Sequence, residues 1–166
     1  SRFLKTTLRQ TVRGDYLYID TDTVVNGDLS ECDSFSADIA AILDRHTMAE
    51  KHPTLAGVIK DLNTVGLAVE DLQGKYFNGG VMYVKDSELA KRFYELWHHH
   101  WDIARKKGHN IDQPPLAKAN KECGYIIQEL PGEWNCQMVD NFINYMDNAK
   151  VLHYFASHRK SPYKLY

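Results

Sequence analysis

The apolar and polar positions of the 166-residue chain follow two patterns, one typical of buried strands and one typical of amphipathic helices. An uninterrupted apolar run, which suits a strand buried on both faces, occurs at 16–19, and further candidate strands occur at 38–43, 76–84, 125–130 and 150–155. Helical spacing of apolar residues occurs at 1–12, 86–107 and 113–124. This alternation predicts an α/β fold with a mixed, mostly parallel sheet flanked by helices, in a single domain over residues 1–166.

The pattern predicts four local features of the chain. The first helix is expected to bury Phe3, Leu4 and Leu8 on one face. The long second helix is expected to bury a stripe that consists of Leu89, Phe93, Leu96, Trp97 and Trp101. The Asn-Gly-Gly triplet at 78–80 predicts a turn ahead of an apolar strand, and the polar segment 45–74 predicts short helices within a long loop.

Composition and charge narrow the class of protein. Hydrophobic residues make up 43% and charged residues 25% of the chain, as in ordinary globular proteins, and no apolar segment approaches the roughly 20 residues that cross a membrane. The net charge of −2 and the lack of a basic block argue against a nucleic-acid partner. Cys32, Cys123 and Cys136 form no Cys-x-x-Cys pair, which favours reduced thiols and a cytoplasmic location.

Two aspartates, Asp20 and Asp22, come directly after the first apolar run. Residues two apart in a strand project to the same side, and open α/β sheets bind ligands beyond the carboxyl ends of their strands. Because two neighbouring carboxylates repel each other, a positive group is expected to face them, and a divalent cation with oxygen ligands is the simplest one. A strand-end turn or a helix cap would explain the same spacing equally well.

A third candidate ligand, His153, lies in the last apolar run. If that strand ends at the same edge of the sheet, the imidazole would join the aspartates, and a site of this composition suits manganese better than calcium. Basic residues follow at 158–160, and they would suit a polyphosphate that binds both the metal and the cations. The alternative is that His153 is a core or edge residue without a ligand.

Five segments, taken together, carry a family resemblance. In chain order they are YLYIDTDTVV, YFNGGVMYV, IDQPPLAKAN, LPGEWNCQ and VLHYFAS. They resemble, in their order and spacing, motifs of nucleotide-sugar glycosyltransferases with the GT-A fold, above all the retaining glycosyltransferase family 8. The resemblance extends over most of the chain, except for the segment 45–74.

The resemblance implies a role for each matched residue. The metal ligands would be Asp20, Asp22 and His153; the groups near the donor and its diphosphate would be Thr21, Asn78, Gly79, Arg159 and Lys160; the acceptor side would include Trp134, Asn135 and Gln137. Asp112 and Gln113 would be catalytic, beside the reacting sugar carbon, although Asp112 is equally well placed to cap the following helix. The family has a lysine six residues after the histidine, where this chain has Arg159 and then Lys160, which leaves open which of them holds the diphosphate.

The implied activity is the metal-dependent transfer of a sugar from a nucleotide-diphosphate sugar, expected to be a UDP-sugar, to a saccharide or glycan acceptor in polysaccharide biosynthesis. The resemblance implies retention of the anomeric configuration and Mn²⁺ or Mg²⁺ as the cofactor. A homo-oligomer and a peripheral association with a membrane are left open. We expect the chain to be a fragment truncated at its N-terminus, because only a short segment, which begins with Ser1, precedes the Asp-x-Asp strand.

Two other functions are compatible with part of the pattern. A haloacid-dehalogenase-like phosphatase would use Asp20 as nucleophile and Asp22 as general acid, but its later Gly-Asp motif is missing, since Gly27-Asp28 comes too early. A non-catalytic carbohydrate-binding remnant would follow if the half that binds the nucleotide base were lost.

Overall fold

A computed structural model describes residues 2–139 and 142–155. Its helices are α1 (Arg2–Thr11), α2 (Leu55–Asn63), α3 (Glu88–Lys106) and α4 (Gln113–Glu122). Its strands are β1 (Tyr16–Ile19), β2 (Thr23–Val25), β3 (Ile39–Leu43), β4 (Phe77–Val84), β5 (Ile127–Glu129), β6 (Cys136–Gln137) and β7 (Val151–His153). The segment 45–74 contains α2 and short 3₁₀ turns, as predicted. None of the described helices has the length and apolar character that a membrane span requires.

The strands form two sheets, one with the order β1-β4-β3-β5 and one with the order β2-β7-β6. The mixed α/β architecture flanked by helices is confirmed, but the mostly parallel pairing is wrong. Strand β4 runs antiparallel to both β1 and β3, and β2 runs antiparallel to β7, whereas β5 and β6 pair in parallel with β3 and β7.

The core explains why the apolar runs suggested parallel strands. Alternate residues of β3 face opposite sides: Ile39 and Ala41 pack with α3 and α4, whereas Ala40 and Ile42 pack with the segment that carries Trp134. Both faces of the antiparallel pair β3–β4 are therefore covered by other parts of the chain. A continuous apolar run indicates that a strand is buried on both faces, but it does not indicate whether the strand pairs in parallel or antiparallel.

Helix α3 matches its prediction closely. The Ser87 hydroxyl caps it by accepting a hydrogen bond from the Ala90 N–H at 3.1 Å, and Gly108 follows the helix with a φ of +89°. Its buried residues include Phe93, Tyr94, Trp97 and Trp101. Leu89, by contrast, is 40% exposed, so the predicted stripe is rotated by about one residue at its start.

Helix α1 exists as predicted but presents a different face to the protein. Phe3 and Leu4 are exposed, while Thr6 and Arg9 are buried. The Thr6 hydroxyl lies 2.9 Å from His98 Nδ1 on α3, and Arg9 donates a hydrogen bond of 2.8 Å to the Gly14 carbonyl. The buried face of this helix therefore contains polar side chains with hydrogen-bond partners, and Phe3 and Leu4 lie outside it.

The triplet at 78–80 is not a turn, because it lies inside β4. The pairing of β3 and β4 shifts there: Ala41 pairs with Met82, but the next residue, Ile42, pairs with Asn78. Residues 79–81 thus form an irregularity in the ladder. A Cβ at Gly80 would lie 2.7 Å from His153 Nδ1, so the glycine gives this histidine room beside the strand.

Candidate functional site

An open pocket lies where β1 and β7 end and β4 begins, and most of the predicted site residues line it. Those that line it are Asp20, Asp22, Asn78, Gly79, Asp112, Gln113 and His153. Thr21 lines an adjoining cavity that also contacts Asp20 and Asp112. Residues that the sequence analysis did not select also line the main pocket, namely Arg2, Lys5, Asp44, Arg45, His52, Thr54, Asp61 and Tyr76.

Asp20, Asp22 and His153 come together as predicted, although the reason differs. The two aspartates do not lie within one strand; they belong to the turn that leads from β1 in the first sheet to β2 in the second. Pairing of Thr23 with His153 then places the histidine beside the turn. One ligand atom from each of the three residues lies within 4.8 Å of the others, which is a suitable arrangement for a metal ion.

The His153 imidazole is buried, with only 2% of the residue exposed. Its Nδ1 lies 2.9 Å from Asn135 Oδ1, and its Nε2 lies 3.3 Å from Asp22 Oδ1 without the geometry of a hydrogen bond. Burial lowers the pKa of His153 below its ordinary value, against the opposing effect of Asp22 and Asp20. The neutral imidazole is therefore favoured at pH 7.

Lys5 is a site residue that the sequence analysis missed. Its Nζ lies 3.2 Å from Asp20 Oδ2 and 3.2 Å from Asp112 Oδ2, and only 10% of its side chain is exposed. The positive charge that was expected beside the aspartates is thus supplied in part by a lysine of α1. The only available signal was a basic residue in the helix that precedes the Asp-x-Asp strand, which is too common to select it.

Asp112 lies at the N-terminus of α4, but its side chain makes no capping hydrogen bond. The predicted capping role is therefore wrong, because its carboxylate is engaged by Lys5 and by Arg2 at 3.3 Å. The backbone carbonyl of Asp112 accepts a hydrogen bond of 2.8 Å from the indole of Trp97. Gln113 lines the pocket, and its buried Nε2 has no hydrogen-bond partner among the described residues.

A second polar group, formed by Asp44 and His52, lies on the same pocket and was also missed, since it borders the segment without a motif. His52 Nε2 lies 2.9 Å from Asp44 Oδ2, and Asn78 Nδ2 donates a hydrogen bond of 2.9 Å to Asp44 Oδ1. Burial acts to raise the pKa of Asp44, but the hydrogen bonds from His52 and Asn78 outweigh it and lower the pKa. Asp44 is therefore a buried carboxylate.

The three residues predicted on the acceptor side lie behind the pocket wall. Trp134 is 2% exposed, and Asn135 and Gln137 are fully buried. The Gln137 amide donates to the Leu43 carbonyl at 2.9 Å and accepts from the Arg45 N–H at 2.8 Å. None of the three lines the pocket, and the side-chain amides of Asn135 and Gln137 are hydrogen-bonded within the protein. Their predicted contact with an acceptor stays a prediction.

The remaining predicted residues, Arg159 and Lys160, lie outside the described residues, and their role stays a prediction. Within the described part of the chain, Arg45 supplies a cation to the pocket, with its guanidinium 5.2 Å from the centre of the Phe155 ring. Arg45 and His46 both have left-handed backbones, with φ values of 55° and 51°. Such conformations cost energy in residues other than glycine and are common at functional sites.

Comparison with known proteins gives a consistent result. The model of the family described as Glycosyl transferase family 8 matches residues 14–161. A lipopolysaccharide 1,2-glucosyltransferase from Escherichia coli is 27% identical over 157 residues, which cover 83% of this chain and 42% of that protein. The chain thus spans less than half the length of this curated relative.

Solved structures of glycosyltransferases share the fold. The galactosyltransferase LgtC, in complex with donor and acceptor sugar analogs, has a TM-score of 0.61 and 15% identity, over 93% of this chain and 58% of LgtC. Mouse xyloside xylosyltransferase 1 has a TM-score of 0.59 and 19% identity, over 93% of this chain and 63% of that one. The glycosyltransferase GlyE of Streptococcus pneumoniae TIGR4 has a TM-score of 0.58 and 16% identity, over 98% of this chain and 39% of GlyE.

Proposed function

The chain belongs to glycosyl transferase family 8, and on this premise we propose that it forms the metal and sugar-transfer side of a glycosyltransferase that uses a nucleotide-diphosphate sugar. We take the donor to be a UDP-sugar and the acceptor to be a saccharide or glycan, with retention of the anomeric configuration. Family membership and the similarity to a lipopolysaccharide glucosyltransferase support these choices. The phosphatase alternative is wrong, because family and fold both differ from it.

The observation that carries the proposal is the contact between His153 and Asp22. A neutral imidazole that donates its Nδ1 proton to Asn135 has only a lone pair on Nε2, and that lone pair lies 3.3 Å from a carboxylate oxygen. Two acceptors at this distance repel each other unless a cation interacts with both. The buried, unpartnered Nε2 and the two carboxylates therefore fit a divalent metal, which we take to be Mn²⁺ or Mg²⁺.

When bound by Asp20, Asp22 and His153, the metal would neutralise the charge of a diphosphate leaving group. The chain's own side chains would hold the rest of the substrate. The carboxylate of Asp112 and the amide of Gln113 line the same pocket, where a carboxylate or amide can stabilise a sugar that becomes oxocarbenium-like. Lys5, between Asp20 and Asp112, would offset the repulsion between the two carboxylates and add positive charge beside the leaving group.

Calorimetric titration tests the metal site first. Mn²⁺, and then UDP with Mn²⁺, would be added to the 166-residue chain, to His153→Ala and to the control His99→Ala, which changes an exposed histidine on α3. We expect Mn²⁺ binding that is lost in His153→Ala and kept in His99→Ala. Absence of Mn²⁺ binding would contradict the proposal and favour the non-catalytic remnant.

Sugar transfer is tested with Asp20→Ala and Asp22→Ala. Because each change removes a metal ligand, we expect the transfer rate to fall by more than about 100-fold, the upper end of the effect of losing an outer-shell partner. Unchanged transfer in both variants would defeat the assignment of the metal ligands.

A further inference from the structure

A continuous path of buried side chains leads away from the proposed metal site. His153 Nδ1 lies 2.9 Å from Asn135 Oδ1, Asn135 Nδ2 lies 3.1 Å from Asn78 Oδ1, and Asn78 Nδ2 lies 2.9 Å from Asp44 Oδ1. All four residues are at most 7% exposed. We refer to these four residues as the relay.

The direction of every hydrogen bond in the relay follows from Asp44, the member farthest from the proposed metal site. The carboxylate of Asp44 can only accept, so the amide nitrogen of Asn78 must face it. The Gly80 N–H donates to Asn78 Oδ1 at 2.8 Å, which independently fixes the same orientation. Asn78 Oδ1 must then accept from the Asn135 nitrogen, and this leaves the Asn135 oxygen to face His153.

The last link determines where the proton of His153 lies. Because Asn135 presents an oxygen to Nδ1, that nitrogen must carry the proton, and Nε2 is left with a free lone pair. The opposite tautomer would place two acceptors 2.9 Å apart and would direct an N–H group at the proposed cation. A metal-binding imidazole needs the first tautomer.

We propose that Asp44 and Asn135 are positioning residues that fix the tautomer of His153, with Asn78 as the link between them. The inference rests on the metal site proposed above, because the Nδ1–H tautomer is the one whose Nε2 lone pair can bind a metal. Asn135 thus acts on the metal ligand from behind the pocket wall, in contrast to the acceptor contact that the resemblance implied. Asp44 acts through three hydrogen bonds, although it also borders the pocket.

Nitrogen-15 NMR of histidine-labelled, metal-free chain reads the tautomer directly, without any assay of activity. We expect His153 to carry its proton on Nδ1. Asn135→Leu removes the acceptor, so the Nε2–H form should appear, where it can donate to Asp22, and the Mn²⁺ affinity should fall about 10- to 100-fold. Asn135→Asp keeps an oxygen beside Nδ1 and should favour the Nδ1–H tautomer, although its carboxylate cannot donate the hydrogen bond that Asn78 Oδ1 now accepts.

A control separates this effect from a loss of stability. Asn120 is also a buried asparagine, and its Oδ1 accepts a hydrogen bond of 3.0 Å from the Ile127 N–H outside the site. Asn120→Leu should leave the His153 tautomer and the Mn²⁺ affinity unchanged. If Asn135→Leu also leaves both unchanged, the role of Asn135 is overturned.

Asp44→Asn tests the far end of the relay. An amide has one acceptor oxygen, so it can accept from only one of Asn78 and His52. The Gly80 N–H still opposes a flip of Asn78, so we expect only a minor population of the opposite His153 tautomer to appear. An unchanged tautomer would overturn the role of Asp44.

The two proposals fail in distinguishable ways. A chain that binds no Mn²⁺ but loses its Nδ1–H signal in Asn135→Leu would overturn the metal site and support the relay. A chain that binds Mn²⁺ but carries the His153 proton on Nε2 in the metal-free state would overturn the relay alone.

Discussion

The Lys5 ammonium group in α1 lies 3.2 Å from Asp20 Oδ2, in the turn that follows β1. The same nitrogen lies 3.2 Å from Asp112 Oδ2 at the start of α4. One nearly buried cation thus joins a proposed metal ligand to a proposed catalytic carboxylate. A Cβ at Gly79 would lie 3.4 Å from this nitrogen, so the glycine lets Lys5 approach the strand closely.

Lys5→Met should separate metal binding from transfer. Without the lysine, the charge of Asp20 is fully available to a cation, so we expect the Mn²⁺ affinity to be equal or higher. Transfer should fall about 10-fold or more, because a positive group beside the leaving diphosphate is lost. Calorimetry and a transfer assay measure the two effects, with Lys91→Met, at a half-buried position of α3 outside the pocket, as the control. A parallel loss of both properties would show that Lys5 has only a structural role.

Gly80→Ala should disturb the metal ligand directly. The added methyl group would lie 2.7 Å from His153 Nδ1 and 2.9 Å from Asn78 Oδ1, distances that require both side chains to move. We expect weaker Mn²⁺ binding and a loss of about 1–3 kcal/mol of unfolding free energy, measured by urea denaturation. In α2, Gly57→Ala meets no atom within 4 Å and should not destabilise the chain. Equal behaviour of the two variants would contradict the packing of His153 on Gly80.

Gln137→Leu distinguishes a structural role from an acceptor contact. The change removes the hydrogen bonds that the buried Gln137 side chain makes to the Leu43 carbonyl at the end of β3 and to the Arg45 N–H. Each unsatisfied backbone group costs about 1–3 kcal/mol, so we expect the unfolding free energy to fall by about 2 kcal/mol or more. A variant with wild-type stability and a higher KM for the acceptor would instead support the acceptor role that the resemblance implied.

His46 should make the stability of the chain depend on pH. Burial lowers its pKa from 6.5 to about 4, against the attraction of Asp44 and Glu133. Between these values the unfolded chain binds more protons than the folded chain, so the folded state loses stability as the pH falls from about 6.5 to about 4. Above pH 6.5 His46 is neutral in both the folded and the unfolded chain, so it no longer makes the stability depend on pH.

Urea denaturation at pH 7 and pH 5 measures this contribution. Other groups also titrate in this range, so the informative quantity is the difference between the wild-type chain and His46→Gln, which should be less sensitive to pH. His99→Gln, at an exposed position of α3, should behave as the wild type does. Identical pH dependence of the wild type and His46→Gln would refute the prediction.

The sequence alone determined the positions of the main strands and helices, the place of the Asp-x-Asp pair after the first strand, and the family. These properties depend on local information: the period of apolar residues, and the identity and order of short motifs. The apolar runs at β3 and β4 reported burial correctly, because burial leaves a direct mark on composition.

The tertiary structure alone decided the strand directions, the rotation of α1 and the surroundings of the metal ligands. Lys5 contacts Asp112, and Asn135 contacts His153, because segments far apart in the sequence fold together. Neither contact produces a periodic pattern of apolar residues that could be recognised in the sequence. Buried polar groups such as Asp44 must find partners wherever the fold supplies them. Hydrogen-bond direction, and with it the proton of His153, therefore depends on the assembled core rather than on any segment of sequence.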